Sequence, residues 1–345
     1  MYRRGVMKTI ALAGVGYWGP YLLRNLMNIP GFRVKTICDI NSSHLEKSLQ
    51  QYPSLRQTHS FDDIISDPEI DAVIIATPAS LHYSQTKACL VAGKSVMVEK
   101  PLSLTLAHAE ELSSLAQDFN CVLMVGHTFL YNAAVHRLRQ LLIDNELGTP
   151  YFILSQRMSL GRIRDDVNVL WNLAPHDYSI LLYLLQRMPE WIIASGAQYL
   201  HKGNEDVVFA TLGYVDGVLA NVQLNWLNPI KVRQMLIVGS QRMVLYDDVS
   251  QNAKLTLYDN SIEVEHLENP TPAATFKEFQ TKTKRGDVTT LPLDFEEPLR
   301  VEMEHFLECL ETRKKPLTDG AHAIRVIRML EATQRSIISG KKEMV

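Results

Sequence analysis

Short apolar runs alternate with helix-like segments over the first 126 residues, and this alternation restricts the fold more than any other feature. Runs that are almost entirely apolar are typical of parallel strands buried on both faces. We therefore predict a doubly wound α/β domain over 1–126. The predicted strands are 8–14, 33–39, 71–77, 94–100 and 121–127, and the predicted helices are Tyr17–Met27, Ser42–Gln50, Ser80–Ala92 and Leu104–Phe119.

The pattern changes after His127, so we predict a second domain over 127–345. Seven strand-like runs joined by short turns lie between Trp191 and His266, which indicates a large, mainly antiparallel sheet in an α+β domain. The polar segment 267–292 is predicted as a surface loop. Another strand is predicted at 151–160, and helices are predicted at Ala133–Asn145, Pro175–Leu185, Pro298–Thr312 and Gly320–Ser339.

Composition excludes several classes of protein. The net charge of −3 gives no general attraction to nucleic acid or to an anionic membrane. No run of 18 apolar residues is present, which argues against a membrane span. The four cysteines are far apart in sequence, so they predict no zinc or redox motif and fit a reducing cytoplasm as small core residues.

A glycine motif follows the first predicted strand. Gly14, Gly16 and Gly19 have the G-x-G-x-x-G spacing, with Tyr17 and Trp18 between the last two. In a strand–turn–helix context these glycines allow a tight turn, close approach to a pyrophosphate and close packing of helix on strand. We therefore predict that all five residues bind a dinucleotide.

Asp39 ends the second predicted strand, where a carboxylate accepts hydrogen bonds from the adenosine ribose. No Arg or Lys follows in "DINSS", so NAD is predicted in preference to NADP. The alternative is a structural glycine turn beside a solvated aspartate.

Two further strands end in polar residues at the same predicted edge. Thr77 and Pro78 follow one strand, His82 lies on the next helix, and Glu99 and Lys100 end the strand after it. Charges are costly to bury, so this pair should lie outside the sheet at the edge where ligands bind. We predict cofactor contacts for all five residues; His82 as a packing histidine and Lys100 as a surface charge paired with Glu99 are the alternatives.

The stretch "TPASLHYSQTKACLVAGKSVMVEKP" resembles the Gfo/Idh/MocA family, as do "GVGYWG" near the start and "DGAHAIRVIRMLEA" near the end. The resemblance implies a Rossmann domain, a C-terminal α/β domain and a homodimer or homotetramer formed through the open sheet. It implies NAD(P)-dependent oxidation or reduction of a sugar, nucleotide sugar or cyclitol. It also implies that Lys100 contacts the reacting hydroxyl, that Glu99 contacts the cofactor ribose, and that the Lys100–Pro101 bond is cis.

A second dense motif is "NVLWNLAPHDYSILLYLL". The family usually carries Asp-x-Gly-x-His here; this chain has Asn172 and Ala174 before a matching His176. We predict that His176 opens a helix with Pro175 in its first turn, and that it exchanges protons with the substrate. Asn172 cannot take a proton but can orient a group. Three interpretations are consistent with an amide at 172, where the family usually has a carboxylate. They are weakened activity, proton transfer by His176 and Lys100 alone, and an engineered substitution.

Weaker candidates for substrate contact flank this motif. Arg157, Arg162 and Arg164 lie in a predicted mobile basic segment that suits an anionic substrate group, or a solvated loop. Tyr131 and Asn132 follow the last predicted Rossmann strand and border the substrate in the family, with a core tyrosine as the alternative.

These observations predict an NAD-dependent oxidoreductase without a metal, in which Lys100, His176 and Asn172 form the catalytic group. The first alternative is a regulator that binds NAD and a sugar without turnover, which the Asn172 departure favours. The second is an assembly protein that keeps only the fold.

Overall fold

The computed structural model describes residues 7–161, 163, 166–200, 202–263 and 282–345. The chain packs as two compact units, each built around one sheet. The first unit takes in described residues within 7–132, 166–182 and 295–334, and the second takes in the rest. The boundary drawn from sequence at residue 126 stays a prediction.

A six-stranded parallel sheet forms the centre of the first unit, in the order β3-β2-β1-β4-β5-β6. This is the strand order of a dinucleotide-binding domain, with the ligand crevice where the order reverses between β1 and β4. The doubly wound prediction is confirmed. The strands are β1 Lys8–Ala13, β2 Phe32–Cys38, β3 Arg56–Thr58, β4 Ala72–Ile75, β5 Ser95–Glu99 and β6 Leu123–Gly126.

Helices connect these strands at bounds close to the predicted ones. Side chains start two of them: Asn41 accepts a hydrogen bond from the Ser43 amide at 3.0 Å, and Thr105 accepts one from the His108 amide at 3.3 Å. Such caps satisfy amides that have no partner inside the helix. The helices are α1 Gly19–Asn28, α2 Ser42–Gln51, α3 Asp62–Ile65, α4 Ala79–Val91 and α5 Leu106–Asp118, followed by a 3-10 turn at Thr128–Tyr131.

A nine-stranded sheet forms the second unit, in the order β14-β13-β12-β11-β7-β10-β9-β8-β15. All its pairs are antiparallel except β7 with β10, so the predicted mainly antiparallel sheet is confirmed. Helix α6 spans Ala133–Ile143. The strands are β7 Pro150–Leu160, β8 Trp191–Ala197, β9 Val207–Gly213, β10 Leu219–Asn225, β11 Leu227–Gly239, β12 Met243–Asp247, β13 Leu255–Glu263, β14 Lys282–Thr290 and β15 Glu343–Met344.

Helix α7 begins earlier than predicted. It spans Val169–Leu185, and the Asn168 side chain accepts a hydrogen bond from the Trp171 amide at 3.0 Å. Asn168 is therefore the cap, and Pro175 lies inside the helix rather than in its first turn. Two more helices, α8 Pro298–Thr312 and α9 Gly320–Ser339, have the predicted bounds.

Two further expectations need correction. The predicted loop 267–292 contains strand β14, which pairs with β13 from Lys282 onward; the preceding part of that loop lies outside the described residues. Arg157 is not in a mobile segment, because it lies within strand β7 and is 6% exposed. Arg162 and Arg164 lie outside the described residues. In the described part of the chain, no helix is both long enough and apolar enough to cross a membrane.

Candidate active site

The glycine turn joins β1 to α1 at the ligand edge of the parallel sheet. Gly14 has φ +90°, and a Cβ there would lie 2.6 Å from the Ala76 carbonyl group. A Cβ on Gly19 would overlap the carbonyl oxygen of Gly14. Both positions therefore require glycine for the backbone itself to close.

Gly16 differs from Gly14 and Gly19 because the atoms nearest to its Cβ position belong to a side chain, that of His44, and not to the backbone. A Cβ at Gly16 would lie 3.4 Å from Cε1 of His44 and would meet no backbone. Its small size therefore leaves backbone accessible, which is what close approach of a pyrophosphate requires. Tyr17, next in the turn, is 73% exposed.

Asp39 follows β2 and its carboxylate lies beside this turn. One oxygen, Oδ2, accepts a hydrogen bond from the Val15 amide at 2.9 Å, and Oδ1 accepts one from the Asn41 amide at 2.8 Å. The aspartate is thus held at the glycine turn, as the predicted role in ribose binding requires.

Glu99 is the last residue of β5 and points to the glycine turn. Its Oε1 accepts a hydrogen bond from the Trp18 indole at 2.7 Å, and its carboxyl lies over Gly126 of β6. Burial raises the pKa of Glu99 to about 7, while the Lys100 charge and the Trp18 hydrogen bond oppose that rise. Trp18 therefore supports Glu99 from within the glycine motif.

Lys100 follows Glu99 and reaches α7. Its Nζ donates a hydrogen bond to the backbone oxygen of Asn172 at 2.7 Å. His176 lies four residues after Asn172, so both side chains leave the same face of the helix. Lys100 therefore contacts the backbone of α7 one helical turn before His176. The Phe129 ring meets the His176 ring edge-on at 5.0 Å between centroids.

Pro175 lies inside α7, one residue before His176. A proline inside a helix has no N–H for the carbonyl four residues earlier, here Trp171, and its ring distorts the preceding turn. The neighbouring carbonyl of Asn172 is the one that accepts from Lys100. Asp177 is 2% exposed and leaves the helix about 100° away from His176.

His82 lies behind the site and joins its two turns. Its ring nitrogens lie 2.7 Å from the Pro101 carbonyl oxygen and 2.9 Å from that of Thr77, and its side chain is 1% exposed. This geometry fits its alternative interpretation as a packing histidine. The Lys100–Pro101 bond is cis, as the resemblance implies. Pro78 precedes α4, and the Thr77 hydroxyl donates to Gln85 at 2.6 Å.

The weaker substrate candidates are more buried than expected. Tyr131 is 5% exposed, and its hydroxyl lies 2.9 Å from Nδ1 of His305. Asn132 is 9% exposed. Burial raises the pKa of Tyr131 well above its ordinary value. These contacts fit the core alternative for Tyr131, and the substrate roles stay predictions.

Sequence reasoning missed two ionisable residues near the site, His44 and Glu302. Nδ1 of His44 lies 3.2 Å from Oδ2 of Asp39. Glu302 of α8 is fully buried, and its Oε2 accepts from the Thr128 hydroxyl at 2.6 Å. Burial and nearby Glu99 raise the pKa of Glu302 well above its usual range. The helical spacing of Glu302 with apolar neighbours gives no signal for a buried acid.

Two family models cover most of the chain. One, described as the oxidoreductase family with an NAD-binding Rossmann fold, matches residues 8–127. The other, the GFO/IDH/MocA C-terminal domain, matches residues 135–245. The chain belongs to the GFO/IDH/MocA oxidoreductase family.

Known proteins agree with this family assignment. Inositol 2-dehydrogenase 2 of Mycolicibacterium vanbaalenii is 35% identical over 41% of this chain and 42% of its own length. GenD2 from gentamicin A biosynthesis, solved in complex with NAD, has a TM-score of 0.81 at 21% identity over 100% of this chain and 99% of that one. UDP-N-acetylglucosamine 3-dehydrogenase GnnA from Acidithiobacillus ferrooxidans has a TM-score of 0.79 at 22% identity over 96% and 98%. At these identities the two structures show the shared fold.

The N-terminal family model describes an NAD-binding fold, and the residues at the sheet edge fit that cofactor. The strained turn at Gly14, the accessible backbone at Gly16 and the anchored carboxylate of Asp39 are the three features that a dinucleotide needs here. The amides at the start of α1 face the same side and suit a pyrophosphate.

We predict that alanine separates the roles of the glycines. Gly19→Ala should lower the free energy of unfolding by about 2 kcal/mol or more, because its Cβ overlaps backbone. Gly16→Ala should keep most of the stability but weaken NAD binding at least tenfold, about 1.4 kcal/mol. Denaturant unfolding and calorimetric NAD titration measure the two effects. Equal NAD affinity in Gly16→Ala and the unchanged protein would contradict this assignment.

We predict that Glu99 makes stability depend on pH. Its pKa of about 7 when folded exceeds the ordinary 4.5, so the folded state keeps a proton that the unfolded state loses. The free energy of unfolding should therefore fall as pH rises from about 4.5 to about 7. Glu99→Gln should reduce this slope, whereas Glu46→Gln on the exposed side of α2 should leave it unchanged. Glu302, whose pKa is also raised, contributes to the same pH dependence, so part of the slope should remain in Glu99→Gln. A slope in Glu99→Gln as steep as in the unchanged protein would refute the prediction.

Proposed function

We propose that the protein transfers hydride between NAD and a hydroxyl-bearing or ketone carbon of a sugar, nucleotide sugar or cyclitol. The observation that carries this proposal is the hydrogen bond from Lys100, which follows β5, to the backbone of Asn172, one helical turn before His176. Bound NAD supplies the hydride acceptor or donor. The chain must supply the groups that bind the substrate oxygen and move its proton.

The proposed roles follow from the chemistry of the three side chains. Lys100 carries an ammonium fixed by the Asn172 carbonyl, so it polarises a substrate oxygen. His176 takes the hydroxyl proton during oxidation and returns it during reduction, because imidazole exchanges protons near neutral pH. The Asn172 amide orients the substrate or the ring, since it cannot accept a proton.

The proposed substrate class rests on the named relatives and on the polar character of the Lys100, Asn172 and His176 side chains. Inositol and UDP-N-acetylglucosamine are named for two of the similar proteins, and both carry secondary hydroxyls. Amine, amide and imidazole groups hydrogen-bond such hydroxyls. Preference for NAD over NADP and an anionic group held by Arg157 or Arg164 are further parts of the proposal.

A second copy of the chain is the proposed partner of the nine-stranded sheet. Ile193, Phe209 and Leu219 of neighbouring strands are 44%, 46% and 43% exposed on one face. Between them Asn221 Nδ2 donates to the Thr211 hydroxyl at 3.0 Å, so the amide is already satisfied without water. An uncharged face of this kind suits an isologous dimer, in which the same patch meets itself.

A regulator that binds NAD and a sugar without turnover is the second candidate. The amide of Asn172 favours it, because the carboxylate usual in the family is absent. Steady NADH formation with any member of a panel of free sugars, cyclitols and nucleotide sugars excludes this candidate. Saturable binding of both ligands without NADH formation excludes the dehydrogenase instead.

We predict that Lys100→Met reduces turnover about 10² or more while NAD affinity changes little, because the variant removes the group that polarises the substrate oxygen. Lys231→Met, at an exposed site in the other unit, is the matched control. Initial rates and NAD titrations measure both effects. Near-normal turnover in Lys100→Met would remove Lys100 from the chemistry.

We predict that Asn172→Asp raises the apparent pKa of the activity profile. A carboxylate on the His176 face stabilises imidazolium better than an amide does. Turnover rises with it if the site derives from one with aspartate, and falls if the site has adapted to the amide. Rates against pH for this variant and for Asn28→Asp, an exposed control, measure the shift. An unchanged profile would place Asn172 away from the titrating group.

We predict that Phe209→Glu converts the proposed oligomer to monomer, because burying an unpaired charge in the proposed interface is costly. Phe295→Glu carries the same charge at a position that is 74% exposed in the other unit, and should leave the assembly intact. Light scattering during size-exclusion chromatography gives both masses. A monomeric unchanged protein would show that the face has another role.

A further inference from the structure

His44 occupies the edge of the proposed ribose site in the first turn of α2. Its Nδ1 lies 3.2 Å from Oδ2 of Asp39, and its side chain is 36% exposed. Its Cε1 would lie 3.4 Å from a Cβ on Gly16. The His44 imidazole therefore contacts Asp39, the proposed ribose-binding carboxylate. It also borders Gly16 in the turn proposed to bind the pyrophosphate.

The hydrogen bonds of Asp39 leave little spare capacity. Amides of Val15 and Asn41 donate to its two oxygens at 2.9 and 2.8 Å, and His44 adds a third donor. A carboxylate offers about four acceptor positions, so about one remains for a ribose hydroxyl. The state of His44 therefore decides how much negative charge the ribose site presents.

We propose that His44 determines the specificity of this site between NAD and NADP. With a neutral imidazole, the charge of Asp39 repels a 2′-phosphate. With an imidazolium, the His44–Asp39 pair is neutral overall and His44 offers a cation to the phosphate. The protein then discriminates more strongly against NADP in alkaline solution, where an imidazole is neutral, than in acid, where it carries a proton.

Other ionisable groups lie on the same and neighbouring elements, and their effects must be separated from that of His44. His59 contacts the backbone oxygen of Asp39 through Nδ1 at 2.8 Å. Tyr17 belongs to the glycine turn, Asp63 lies on α3, and Glu46 and Lys47 are on the same helix as His44. His59 is the other imidazole among these groups, so it supplies the matched control.

The test is calorimetric titration of the full chain with NAD and with NADP at pH 5.5 and pH 8. The ratio of the NADP to the NAD dissociation constant should fall at least about fivefold on acidification, the effect of a partly exposed ion pair of about 1 kcal/mol. His59→Gln should show the same fall. In His44→Gln the ratio should fall on acidification only by the amount that protonation of the NADP 2′-phosphate itself causes. His44→Arg should give a low ratio at both pH values.

Several results would overturn the proposal. One is a pH-dependent fall in His44→Gln equal to that of the unchanged protein. Another is a ratio in His44→Arg that is as high at pH 8 as in the unchanged protein. Loss of both NAD and NADP binding in both His44 variants, with thermal unfolding unchanged, would show that His44 only shapes the site. Loss of the effect in His59→Gln would assign it to that residue.

Discussion

The hydrogen bond from Lys100 to the Asn172 carbonyl oxygen is the contact on which the candidate site depends. It joins the end of β5 to the first turns of α7, which are far apart in sequence. A buried or half-buried ammonium needs such acceptors to offset its lost hydration. The internal Pro175 of α7 has no N–H to donate to the Trp171 carbonyl, one residue before this contact. The contact holds the end of β5 against the turn of α7 that precedes His176.

The carboxyl group of Glu99, the residue before Lys100, lies in a different environment. Glu99 is half-buried beside the glycine turn, so its ionised form is costly, and Lys100 and Trp18 recover only part of that cost. Glu302 lies close enough to make two ionised carboxylates still more costly. The end of β5 therefore places the Glu99 carboxyl at the glycine turn and the Lys100 ammonium at α7. A strand with an apolar interior can end in two opposite charges because each has its own partner.

Most of the architecture could be predicted from sequence because its signals are local. Apolar runs, the glycine spacing and Asp39 identified the parallel sheet and its ligand edge, and α8 and α9 had the expected bounds. The start of α7 could not be predicted, because proline usually marks a helix beginning and the Asn168 cap gave a weaker signal. Strand β14 was missed since its exposed polar residues carry no apolar pattern, and its partner β13 supplies the pairing. Contacts of His44 and Glu302 depend on tertiary packing, so neither side chain could be assigned from its neighbours in the chain.

The measurement that tests this account most directly is a crystal structure of the protein with NAD and a bound polyol. The account predicts Lys100 Nζ within about 3 Å of both the Asn172 carbonyl oxygen and a ligand hydroxyl, with the His176 ring at hydrogen-bond distance from the same hydroxyl. It also predicts that the Trp18 indole still donates to Glu99. A complex in which the ligand is bound but Lys100 has left α7 and points to solvent would contradict the account.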